Sequence, residues 1–196
     1  MIPSRTVAAL LFLTLGLPAG AGEIQGTCLL RFRGVSTLHE FSGTVRCQPF
    51  SADLRETDAG GMGIRGVEVD VMVDGMDSGN RTRDGQMREM LESDRFPRIH
   101  GTVREIDVAG IRRAVRVGGG GTASFDLALR IRDIERTIRA AVTNLREEGD
   151  QVGFDVEFPV SLEEFGLKAP SFLGMFRVRD KVTVRGNVRL KVSSKE

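Results

Sequence analysis

An all-β fold, its strands antiparallel and either closed into a barrel or stacked as a sandwich, is what this sequence predicts. Three observations point there. Apolar residues alternate with polar ones at period two in segment after segment, the mark of half-buried strands. Short turn signals separate those segments. Helical periodicity is confined to two brief stretches. Eight or nine strands with one apolar face each must hide that face, which a closed barrel or a sandwich does.

The clearest strands come first. Val67, Val69, Val71 and Val73 alternate with Glu68, Asp70, Met72 and Asp74. Ala123, Phe125, Leu127, Leu129 and Ile131 alternate with Ser124, Asp126, Ala128, Arg130 and Arg132. Val152, Phe154, Val156 and Phe158 repeat the pattern, and Val182, Val184, Val188 and Leu190 close it. Weaker patterns fit strands over Thr27–Arg33, Phe41–Cys47, Arg98–Ile106, Arg112–Gly118 and Ile134–Leu145. Gly118 to Gly121 reads as a flexible turn, and Glu148-Gly149-Asp150 as a hairpin.

The two helical stretches interrupt this series. Asp84 is placed to N-cap one of them, with Met87, Met90 and Leu91 on a single face at i, i+3 and i+4. Pro97 stops it from continuing. Ser161 and Glu164 have capping-box spacing and open the second. The segment Phe165 to Phe176 that follows is long and apolar, as functional covers often are.

The chain has 196 residues and a formal charge of +1. A near-balanced charge gives no basic footprint for nucleic acid. Residues 1–21 read as a cleaved secretory signal: Arg5, an apolar run from Val7 to Leu17, then Ala19-Gly20-Ala21 as the small-residue site. Residues 22–196 then form a single domain, periplasmic or secreted. A transmembrane helix needs a longer apolar run. A membrane-spanning β-barrel carries aromatic girdles, and membrane interfaces favour Trp and Tyr, yet the chain has no Trp and no Tyr. The apolar faces are therefore expected inside and the charged faces in water.

A cysteine pair in such a compartment permits a disulfide, the alternative being two buried thiols. Cys28 and Cys47 lie symmetrically about a centre between Thr37 and Leu38. A hairpin closed there sets the two opposite each other on one face, where a bridge would staple it. The stretch Ser36 to Gly43 is then the hairpin tip, and Ser36, His39 and Glu40 serve its turn chemistry.

Catalytic and metal chemistry find little footing. A metal site wants three or four converging His, Cys, Asp or Glu ligands, and His39 and His100 are the only histidines. No nucleophile-elbow motif such as G-x-S-x-G occurs. No catalytic residue, cofactor or metal is expected.

The polar stretch "GVSTLHEFSGTV" resembles the opening hairpin of YceI-like proteins. "SGNRTRDGQMREMLESDRFPRIHGTV" is similar to that family's most specific segment, where an Arg-Asp pair (Arg83, Asp84) opens a helix and a Phe-Pro step (Phe96, Pro97) leads into a strand. "FPVSLEEFGL…VRDKVTVRGNVRL" resembles its closing hairpin and last strand. The resemblance implies an elongated, antiparallel, eight-stranded lipocalin-like barrel with one or two short helices. It also implies binding of a polyisoprenoid or similar long apolar molecule.

On this reading the inward strand residues Phe41, Val69, Val71, Phe125, Leu127, Leu129, Phe154, Val156 and Phe158 line a lumen. Met90, Phe96, Phe165 and Phe172 join them from the helical and cover segments, and His39, Arg81 and Arg83 are candidates for a polar headgroup. The expected partner is a long-chain isoprenoid or lipid, for transport or storage; a homodimer is compatible with this. Two other readings stand beside it: a packed, ligand-free interaction or stress-response module, and a hydrolase using His39.

Overall fold

The computed structural model describes residues 22–36, 40–56, 62–116, 120–168 and 179–194. Among the described residues nine strands run in chain order: β1 (Gly22–Val35), β2 (Glu40–Arg46), β3 (Phe50–Glu56), β4 (Met62–Met72), β5 (Arg98–Asp107), β6 (Ala123–Ile131), β7 (Ile134–Glu148), β8 (Gln151–Ser161) and β9 (Lys181–Ser194). Helix α1 (Arg81–Leu91) joins β4 to β5, and α2 (Val108–Val115) joins β5 to β6. Short 3-10 turns cover Val73–Gly75 and Glu163–Phe165. Every strand pairing is antiparallel, and β1 pairs with β9 to close the sheet.

Nine strands occupy eight places in this barrel. β2 pairs with the second half of β1 (Leu30↔Val45) and β3 with the first half (Ile24↔Ala52). The register changes by one residue between them, so β2 and β3 are one strand broken by a bulge at Cys47-Gln48-Pro49. Inward parity flips across it: Gly43, Val45 and Cys47 are buried on one side, Ala52 and Leu54 on the other. Pro49 has no N–H to give a ladder, which suits a bulge. The Cys28–Cys47 disulfide, with Cα atoms 5.4 Å apart, pins this point to β1, and Cys47 N–H donates to Cys28 O at 3.1 Å.

A second bulge bends β7. Pairing with β8 shifts between Thr143 and Arg146, and Asn144 has φ 53°. Before it Ala140 and Val142 face inward; after it Leu145 does. Asp155 on β8 clamps the kink, accepting from Asn144 Nδ2 at 2.8 Å and Arg146 Nη2 at 3.1 Å, while Asn187 Nδ2 donates to it at 2.8 Å. Burial pushes the Asp155 carboxyl up, but these hydrogen bonds and the Arg146 charge together hold it below the ordinary value.

The middle of the inner surface is apolar, with Ile24, Val67, Val103, Ile131, Val142 and Val160 buried around the circumference. Rings near the hairpin lie over glycines on the facing strand. Phe32, Phe41 and Phe50 stand opposite Gly43, Gly34 and Gly26, and a Cβ at any of these glycines would overlap the ring.

Three expectations need correction. The strand expected over Arg112–Gly118 is α2 as far as Val115, with Val108, Ile111 and Val115 at helical spacing along one face. Asp107 caps it, its Oδ1 accepting from Gly110 N at 2.8 Å. Strand β3 has no counterpart among the expected strands. The cap of α1 is Asn80, whose side chain accepts from Arg83 N at 3.1 Å. Asp84 instead is buried in the first turn, where its Oδ1 accepts from Ser78 N at 3.0 Å and Ser78 Oγ at 2.5 Å.

Candidate functional site: an apolar cavity through the barrel

Strands of 14 and 15 residues span roughly 45–50 Å at about 3.3 Å per residue. With a tilt of about 40° the barrel is roughly 35 Å long. Along it runs a cavity of about 750 Å³, within the range of small-molecule sites. Each strand contributes wall residues, and they are overwhelmingly aliphatic or aromatic. Phe41, Val69, Val71, Met90, Phe125, Leu127, Leu129, Phe154, Val156 and Phe158 all stand in the wall. Parity placed them there: each lies on the inward side of its strand, or for Met90 on the inner face of α1.

The remaining candidates are placed differently. Phe96 is half-buried outside the cavity, beneath the Arg95 guanidinium at 5.1 Å, because the chain has left α1 and turns at Pro97 before β5. Phe165 is fully buried, packed in the core beside the cavity without lining it. Arg81 is exposed and outside the wall. His39 and Phe172, with most of the expected cover segment, lie outside the described residues.

The two ends of the cavity differ. At the α1 end, Ser36, Asn80, Thr82, Arg83 and Gln86 enter the wall. Arg83 Nε donates to Ser78 Oγ and Nη2 to Ser78 O, both at 2.9 Å. Its guanidinium lies 5.6 Å from the centroid of the Phe41 ring, within cation–π range. Arg83 and Asp84 thus both hold Ser78. The adjoining Asp77 exchanges backbone hydrogen bonds with Thr44 of β2 at 2.7 and 2.9 Å. This fixes the start of α1 against the first hairpin. Its far end is tied to the β6–β7 turn by Arg132 and Glu92 at 3.0 Å.

At the opposite end, α2 packs on β4, β6 and β7. Val108, Ile111 and Arg112 of α2 enter the wall, and so does Glu147 of β7. Arg112 Nε donates to Glu147 Oε1 at 2.6 Å. Gln86, Asn80, Arg112 and Glu147 were not anticipated from sequence. Helical spacing in "VAGIRRAV" was the available signal for Arg112; Glu147 had none, since only the β7 bulge turns it inward.

Among the described residues, no group of three or more His, Cys, Asp or Glu is placed to hold a metal ion. No helix among them is long and apolar enough to cross a membrane.

A closed antiparallel barrel around an end-to-end apolar cavity defines the class of protein. The YceI-like domain model matches residues 25–190, and the chain belongs to that family. No curated protein matches it. The crystal structure of Burkholderia cenocepacia BcnA is similar in fold, at 15% identity, TM-score 0.61, and 83% of this chain covering 95% of that one. A polyisoprenoid binding domain from Saccharophagus degradans implicated in plant cell wall breakdown gives 16% identity, TM-score 0.60, and coverage of 85% and 97%. The Campylobacter jejuni YCEI protein gives 14%, 0.51, and coverage of 79% and 85%. At these identities the likeness concerns the fold.

Proposed function

We propose that this protein is a periplasmic or secreted carrier that buries a long apolar tail, of polyisoprenoid or lipid type, inside the barrel for transport or storage. The observation that carries the reading is the cavity itself, about 750 Å³, walled almost wholly by apolar side chains from end to end. Such a wall offers no set of polar partners for a sugar or nucleotide. Each methylene it buries contributes about 0.8 kcal/mol, so a long tail needs few polar contacts. A polar head belongs at the α1 end, where Asn80, Arg83 and Gln86 supply side-chain donors. The Cys28–Cys47 bridge suits an oxidising compartment, as does the signal read in residues 1–21. Family membership and the Saccharophagus domain's description support the same reading. A filled, ligand-free barrel fits this cavity poorly.

The reading is tested with delipidated protein and a fluorescent isoprenoid probe. Val69 sits in the wall on β4, and Val69→Trp fills part of the cavity. The expected result is uptake by the native protein and a loss of about tenfold or more in affinity, at least ~1.4 kcal/mol, in the variant. Circular dichroism checks that the barrel persists. No uptake by the native protein would contradict the proposal.

A further inference from the structure

We infer that α2 is the floor of the cavity and sets the length of chain it accepts, with the Arg112–Glu147 pair as the latch that holds this floor in place; the inference rests on the tail-binding reading above. Four observations converge on it. First, the α1 end of the cavity carries Ser36, Asn80, Thr82, Arg83 and Gln86, whereas the polar residues of the α2 end, Arg112 and Glu147, are engaged with each other, so a ligand with a polar head points its tail toward α2. Second, α2 turns Val108 and Ile111 into the cavity, while Val115, one turn beyond Ile111, is fully buried as its anchor. Third, α2 packs on β4, β6 and β7, so it lies across this run of neighbouring strands at one end of the barrel.

The fourth observation concerns Glu147. Ahead of the bulge, inward residues on β7 are even-numbered; the extra residue at Asn144 turns Leu145 and Glu147 inward instead. Bulges re-aim side chains in this way. Glu147 stands at the solvent-accessible rim of this end, and Arg112 of α2 pairs with it at 2.6 Å, tying the helix to β7. Asp155, clamping the same bulge from β8, holds the arrangement in register. Because the pair is mutually satisfied, it offers a passing tail no free polar group, and works on the helix rather than on the ligand.

The test uses a homologous series of straight-chain fatty acids, each competed against the fluorescent isoprenoid probe on the full chain. Native protein is expected to gain roughly fourfold in affinity per added methylene up to a limit, then to stop gaining. Ile111→Ala lowers the floor and should move that limit to longer chains. Ile111→Phe raises it and should move the limit to shorter ones. Glu147→Gln releases the latch and should blur the limit, so that chains beyond the native maximum bind within about tenfold of the best. The opposed shifts of the two Ile111 variants exclude mere loss of folding as their cause. If native protein binds the series but all three variants keep its limit, the floor assignment is wrong while tail binding stands. If native protein binds no member and no probe, the tail-binding reading itself falls, and the floor with it.

Discussion

Asp155 shows how much one side chain can hold. It is the common acceptor for Asn144, Arg146 and Asn187, and so joins three strands at the β7 bulge. Burial raises its carboxyl, but the three donors outweigh this and lower it below the usual Asp value. The sign of the pH effect follows. A carboxylate with a folded pKa below its unfolded one, about 3.9, stabilises the fold fully above that value. That contribution is lost as pH falls through the lower, folded value. Asp155→Asn should therefore be less stable than native protein at neutral pH, and the difference should shrink as the medium becomes acidic below about pH 4. Denaturant midpoints across that range measure it; a difference that stays constant with pH would show that the charge is idle. From sequence, Asp155 was only an outward residue between Phe154 and Val156. Its importance comes from a bulge on the neighbouring strand, which no local pattern announces.

The first hairpin and the broken strand beside it behave as one element. At one end of it Arg33 of β1 and Glu40 of β2 pair across the strands. At the far end the Cys28–Cys47 bridge sits where β2 gives way to β3. Cysteine symmetry about Thr37 and Leu38 was enough to find this pairing, because an antiparallel hairpin keeps the sum of partner numbers constant. The same arithmetic fails one residue further on, where the bulge changes the sum and hides β3. α2 was missed for a related reason: Val115, Arg116 and Val117 imitate strand alternation, while the helical set Val108, Ile111 and Val115 straddles a longer window. The bridge closes a loop of about the length that chain-entropy estimates value at roughly 3 kcal/mol. Native protein should expose no reactive thiol under non-reducing conditions. A Cys28→Ser/Cys47→Ser double variant should unfold at lower urea concentration by a free energy of that order. Two titratable thiols in fresh protein, or an unchanged midpoint in the variant, would remove the bridge from the account.

At the scale of the whole molecule, the interior was the part most open to sequence reasoning. Parity sorts Phe125, Leu127, Leu129, Phe154, Val156 and Phe158 to one side of their strands, and closure of the barrel makes that side the cavity wall. The ends were far less legible. They are built by α1, α2 and the turns beside them, whose residues meet only when the barrel is closed: Arg83 reaches back to Ser78, and Arg112 crosses to Glu147. A wall set by parity and ends set by tertiary contact give a tube with polar side chains at its α1 end and, at the other, Val108 and Ile111 beside the paired Arg112 and Glu147. Such a tube suits the role proposed above, the removal of a long apolar chain from water. Lipid extraction and mass spectrometry of the purified full-length protein test this most directly. The account predicts a long-chain isoprenoid or lipid, recovered at about one molecule per barrel. Protein that yields no lipid, and takes up no isoprenoid probe when one is supplied, would contradict it.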